Sequence, residues 1–121
     1  MKRGIWLSAA ALAFLAPPAF AQDMCMSPPA PVVPDGKTAE ASALIQAQKD
    51  VVAFIKASDE YQNCLLAQIS ALEKTAKDAK MPVDAAAKKA LETKGDANQK
   101  DKERVGKAYN AAAVAYKAAH K

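Results

Sequence analysis

The sequence predicts an all-α protein, either a long-helix antiparallel hairpin or an irregular three-helix bundle, with an extended proline-rich N-terminal segment stapled by one disulfide. Three observations carry this. Apolar residues recur at steps of three and four from Leu44 to Ala76 and again from Val105 to Ala119. Pro28, Pro29, Pro31 and Pro34 precede the first stripe. Two cysteines are present, Cys25 before those prolines and Cys64 well inside the stripe.

The first element is an export signal. Lys2 and Arg3 precede an apolar run from Ile5 to Ala16, then Pro17, Pro18 and Ala19-Phe20-Ala21. That is the n-region, h-region and A-x-A site of a secretory signal peptide cleaved after Ala21. The run has 12 residues, whereas a bilayer-spanning helix needs roughly 20. Asp23 and Met24 replace the small residues that precede a lipidated cysteine. The sequence thus places residues 1–21 in a signal peptide, 22–37 in an extended leader and 38–121 in one helical domain, periplasmic or secreted.

Export leaves 100 residues, enough for one small core. Aromatics make up only 6% of the chain, so thin alanine-rich faces must approach closely. The exported chain carries fifteen basic and thirteen acidic side chains, a net charge of +2, divided as −4 over residues 22–73 and +6 over 74–121. Such asymmetry favours pairing of the two halves. It also admits weak contact of the basic half with anionic surfaces, although lysines interleaved with alanine are more simply a solvated helix face. Nucleic acid is not expected as a partner, because no aromatic side chains are interleaved for base stacking.

In the helical domain, Asp35-Gly36 signals a turn, and Thr38 can cap a helix with Glu40 in its first turn. Leu44, Ala47, Val51, Phe54, Ile55, Ser58, Tyr61, Leu65, Ile69, Leu72 and Ala76 then mark the apolar face of a helix of roughly 40 residues. Their period near 3.5 suits coiled-coil-like packing. Met81-Pro82 interrupts the helix. A short helix is expected from Val83 to Thr93, a second break at Lys94-Gly95-Asp96, and a final helix opened by an Asp96/Gln99 capping box. Val105, Tyr109, Ala112, Tyr116 and Ala119 form its stripe. The second half must cover the first; the alternative is an extended helix that dimerises through the same stripe.

Chain length tests the staple. Cys64 lies 26 residues beyond Thr38, roughly 39 Å up a helix. Cys25 lies 13 residues before Thr38, a reach of some 43 to 47 Å when extended and about 40 Å as polyproline. The leader can therefore fold back and bridge Cys25 to Cys64, the default for two cysteines in an exported chain. Such a closure stabilises by roughly 4 kcal/mol in the chain-entropy model.

Catalytic and metal chemistry find little support. His120 lies one residue from the C-terminus. Asp59 and Glu60 point about 100° apart on a helix, and Glu60 with Lys56 reads as a surface ion pair. Asp101 and Glu103 alternate with Lys100, Lys102 and Arg104, a solvated mixed-charge face. Tyr61, Tyr109 and Tyr116 read as core with hydroxyls at the rim. Met24-Cys25-Met26 is a soft sulfur cluster of the type that suits Cu(I), with Cys64, Met81 and His120 as further donors. No ligand spacing repeats, so neither cofactor nor metal is assigned.

The segments MCMSPPAPVVPDGKTA, YQNCLL and VGKAYNAAAVAYKAAH resemble a group of small uncharacterised secreted helical proteins of proteobacteria. The likeness runs through Cys25, Pro34, Asp35, Gly36, Tyr61, Cys64 and Leu65, and covers most of the exported chain. It implies export and the disulfide, and no established activity. The expectation is a non-enzymatic exported module that binds a protein or envelope component. A carrier of a small apolar ligand or metal is the alternative.

Overall fold

The computed structural model describes residues 25–121. The expected signal peptide and Met24 lie outside them. The described residues are all-helical, with two helices and no strand: α1 spans Ala41–Asp78 and α2 spans Ala85–Ala119. Cross-helix partners run in opposite order, Asp59 with Lys102 and, further along α1, Glu73 with Lys88. The helices therefore lie side by side and antiparallel. One disulfide joins Cys25 to Cys64, with their Cα atoms 5.6 Å apart.

The apolar stripe of α1 is its buried face. Leu44, Ala47, Val51, Phe54, Ser58, Tyr61 and Leu65 are all buried, the outcome for side chains that recur on one side of a helix. Val51 and Phe54 form the core with Val105 of α2, and Val33, Ile55 and Tyr109 pack around them. Val105 is 1% exposed, and burying such a side chain is worth about 1.5–3 kcal/mol. Beyond Leu65 the stripe opens, and Ile69, Leu72 and Ala76 are only half-buried. Ala112 of α2 is buried, Tyr109 and Tyr116 are half-buried and Ala119 is exposed.

The expected break at Lys94-Gly95-Asp96 does not occur, and neither does a separate helix from Val83 to Thr93. Gly95 sits inside the continuous α2, and the expected Asp96 cap is an interior residue. A single interior glycine costs only about 1 kcal/mol relative to alanine. Packing of Leu91, Asn98 and Val105, all at least partly buried, exceeds that cost. The true start of α2 is Asp84, whose carboxylate accepts from the Ala87 N–H at 3.0 Å.

Thr38 does not cap α1. The N-cap is Glu40, without a side-chain hydrogen bond. Asp35 organises the approach instead. Its carboxylate accepts from the Lys37 N–H at 2.9 Å, and its carbonyl accepts from Thr38 and Ala39. A short polar side chain that bonds its own backbone two residues on stabilises a turn. This turn places Gly36 on α2, where an added Cβ would overlap the Ala112 carbonyl oxygen and lie 2.9 Å from the Ala112 Cα. Glycine is required here by close approach.

The end of α1 is a Schellman motif. Lys80 adopts φ 52°, its N–H donates to the Lys77 carbonyl, and the Met81 N–H donates to Ala76 at 2.9 Å. Pro82 follows. A left-handed conformation costs an L-residue roughly 1–2 kcal/mol. Lys80→Gly therefore raises unfolding free energy by about 1 kcal/mol in a denaturant titration. Gly36→Ala lowers it by 1 kcal/mol or more, about the scale of an overpacked site, because backbone and not a flexible side chain occupies the space.

Candidate functional site

Two layers define the surface available for recognition: a polar rung that locks the helix pair, and the open flank beside it. Ser58 interrupts the apolar stripe of α1 and is 0% exposed. Its hydroxyl accepts from the Asn98 amide at 3.1 Å, and the Asn98 carbonyl oxygen accepts from Gln62 at 2.9 Å. Gln62 also donates to Gln99, which donates on to Glu103. Both buried polar groups are thereby satisfied, which their burial requires. A one-turn slip of α2 would break both bonds across the seam.

Two cross-helix ion pairs flank the rung. Lys102 pairs with Asp59, and Lys88 with Glu73 at 2.7 Å. The hydrogen bond and charge of Glu73 hold the Lys88 ammonium above the usual lysine range, with a smaller contribution from Glu92. Both pairs are partly exposed and contribute modestly. The expected Lys56–Glu60 pair is absent among the described residues, and the neighbouring Asp59 pairs across to α2 instead. Asp101 pairs with Arg104 along the helix.

Helix geometry separates two flanks. Cys64 and Leu66 are two residues apart, about 200° around α1 at 3.6 residues per turn. The disulfide ties Cys25 of the leader to the Cys64 flank. On the opposite flank lie two shallow grooves between the helices. The larger, about 310 Å³, has apolar walls of Leu65, Leu66, Ile69 and Leu91, with Glu92 and Asp96 on its rim. The smaller, about 210 Å³, lies between Leu44 and Ile45 of α1 and Tyr109 and Tyr116 of α2, with Lys117 on its rim. Ile45, Val52 and Leu66 are 55%, 61% and 60% exposed along this flank.

The sequence-predicted donors are dispersed. Cys25 and Cys64 are consumed in the disulfide. Met81 lies in the connection after α1, while His120 ends α2 at the opposite end of the molecule, stacked on Tyr116 with its ring 2.9 Å from that residue's carbonyl. Met26 is exposed. Among the described residues no cluster of histidine, cysteine and carboxylate side chains could hold a metal ion. No described helix is long and apolar enough to cross a membrane. Tyr61 is core, as its stripe position implied, whereas Tyr109 and Tyr116 line the smaller groove.

Sequence reasoning missed Asn98 and the open flank. A signal existed for the first, since a serine in an apolar stripe needs a partner and Asn98 lies one heptad before Val105. Comparison with protein-family models, curated proteins and solved structures finds no match.

Replacing Asn98 with alanine leaves the Ser58 hydroxyl buried without its donor. Asn98→Ala should lower unfolding free energy by about 1–3 kcal/mol. Measured in a double-mutant cycle, Ser58→Ala should then cost markedly less in the Asn98→Ala background than in the wild type.

Proposed function

We propose that this chain is a non-enzymatic exported docking module of the periplasm, related to the small secreted helical proteins that its motifs resemble. In this reading it is a long-helix hairpin whose proline-rich leader is stapled along one flank, leaving the other flank for a protein or envelope component. The observation that carries the reading is the row Ile45, Val52 and Leu66, each more than half exposed on the flank that the leader leaves open. Asp59, tied to Lys102, holds the heptad position between Val52 and Leu66, so the row offers apolar contact on either side of one ion pair, a surface of the kind that marks an interaction site. The disulfide supports the placement in an oxidising compartment. Oriented hydrogen bonds at Ser58, Asn98 and Gln62 fix the register of the two helices and so hold the flank in one shape.

A second reading has one observation in its favour. The Leu65–Leu91 groove, about 310 Å³, is at the small end of ligand pockets, so a carrier of a small apolar molecule is the alternative. Metal carriage loses its strongest donors, because both cysteine sulfurs are bonded to each other.

The test uses the protein exported by its native host, with an intact mass expected to begin at Gln22 and to be two hydrogens light. A photoreactive residue is placed at Leu66, with Glu60 on the outer face of α1 as control. Docking predicts a covalent protein adduct from Leu66 and none from Glu60. Equal capture at both positions, or none at Leu66, would overturn it. A co-purifying small molecule in native mass spectrometry, lost when Leu65→Ser opens the groove, would establish the carrier instead.

A further inference from the structure

Resting on the docking reading of the open flank, we propose that its occupant is a second copy of this chain. The two copies are related by a two-fold axis that crosses the helices at right angles. The larger groove of each copy then lies on the smaller groove of the other. This contact is distinct from the stripe of Val51, Phe54 and Val105, which is already filled within one chain.

Register supplies the first argument. Leu66 beside the larger groove and Ile45 beside the smaller have their midpoint on α1 at Ile55 and Lys56. The rim residues Glu92 and Lys117 have theirs on α2 at Arg104 and Val105. These midpoints lie at one level, because Val105 packs against Phe54 in the core with Ile55 beside them. A single axis through that level therefore exchanges the grooves on both helices at once. Leu66 of one copy enters the Tyr109–Tyr116 groove of the other, and Ile45 enters the Leu65–Leu91 groove.

Charge supplies the second. The larger groove has an acidic rim, Glu92 and Asp96, and the smaller has Lys117. Among the described residues none of the three forms an ion pair within the chain. The exchange of grooves brings opposite signs together twice, once at each end. Complementary charge of this kind fixes orientation between partners. Near the axis, Gly106 has nothing within 4 Å of where a Cβ would stand. Its bare backbone lets the facing α2 approach.

Area is the third. At about 1.5 Å per residue α2 is roughly 50 Å long, and two adjacent helices are about 20 Å across. The flank thus offers on the order of 1,000 Å² per copy, against the roughly 800 Å² that a standard interface takes from each partner. Two-fold pairing of helix pairs gives a four-helix bundle, an arrangement that buries such stripes efficiently.

Sedimentation of the exported protein tests the proposal, with circular dichroism to verify that each variant keeps its helices. The wild type should sediment as a dimer. Lys117→Glu alone, and Glu92→Lys with Asp96→Lys in one chain, should each weaken dimerisation about tenfold or more by setting like charges at both ends. Mixing these two variants should restore a mixed dimer, because both ends are then opposite in sign. A photoreactive residue at Leu66 should link to the peptide that contains Ile45 of the other copy. A wild type that stays monomeric at millimolar concentration, a dimer indifferent to both reversals, or a Leu66-to-Leu66 link would overturn the arrangement. If the wild type is monomeric while Leu66 captures a different protein, self-association fails and the docking reading survives.

Discussion

Two helices in contact enclose a line, and a line is not a core. Everything else in this protein depends on what closes the third side, which is the leader held down by Cys25–Cys64. Val33 reaches the Val51, Phe54 and Val105 cluster from that segment, and Gly36 presses on the Ala112 backbone. Without the staple, the extended leader would have to be ordered by a few van der Waals contacts against a backbone entropy of about 1–2 kcal/mol per residue. A bridge across a sequence separation of 39 residues removes roughly 4 kcal/mol of that disadvantage by restricting the unfolded chain. Small domains with thin cores use disulfides for this reason.

The staple sets where the leader lies, but it does not set how the helices are aligned. Alanine-rich faces are nearly uniform along their length, and a uniform seam tolerates sliding. Ser58 and Asn98 supply the irregularity. A buried hydroxyl satisfied by one amide has a single acceptable register, since any slip leaves both groups without partners. The ion pairs Asp59–Lys102 and Glu73–Lys88 agree with that register on the exposed rim. Polar specificity in the centre and weak electrostatics outside thus act in the same direction.

The stripe from Leu44 to Leu65 was legible because burial follows helical periodicity directly. So was the disulfide, because chain reach constrains it without knowledge of packing. Gly95 was misread for a physical reason: a lysine, glycine and aspartate in succession carry the local chemistry of a helix break, and tertiary contact on either side outweighs it. Thr38 was misassigned because a capping residue is defined by backbone geometry. Here Asp35 had already turned the chain before α1 began. The open flank was invisible as a site because it is defined by what the leader does not cover. Yet Cys64, displaced from the stripe toward one side, indicates which flank the leader takes, and thereby which one is left.

That displacement links the internal architecture to the external surface. A disulfide at the centre of the stripe would have driven the leader between the helices, and one on the outer face would have left both flanks bare. Placed at the edge, Cys64 makes the molecule two-sided, with one flank completed by its own chain and the other bounded by Ile45, Val52 and Leu66. The distribution of glycine follows the same division. Gly36 is tightly enclosed on the completed side, whereas Gly95 meets only the Leu65 side chain at ordinary contact distance and Gly106 meets nothing. Each of the latter two costs α2 about 1 kcal/mol relative to alanine without relieving any clash inside the chain. Fold stability alone favours alanine at both positions, so the two glycines leave α2 with a thinner profile on the side that the leader does not cover.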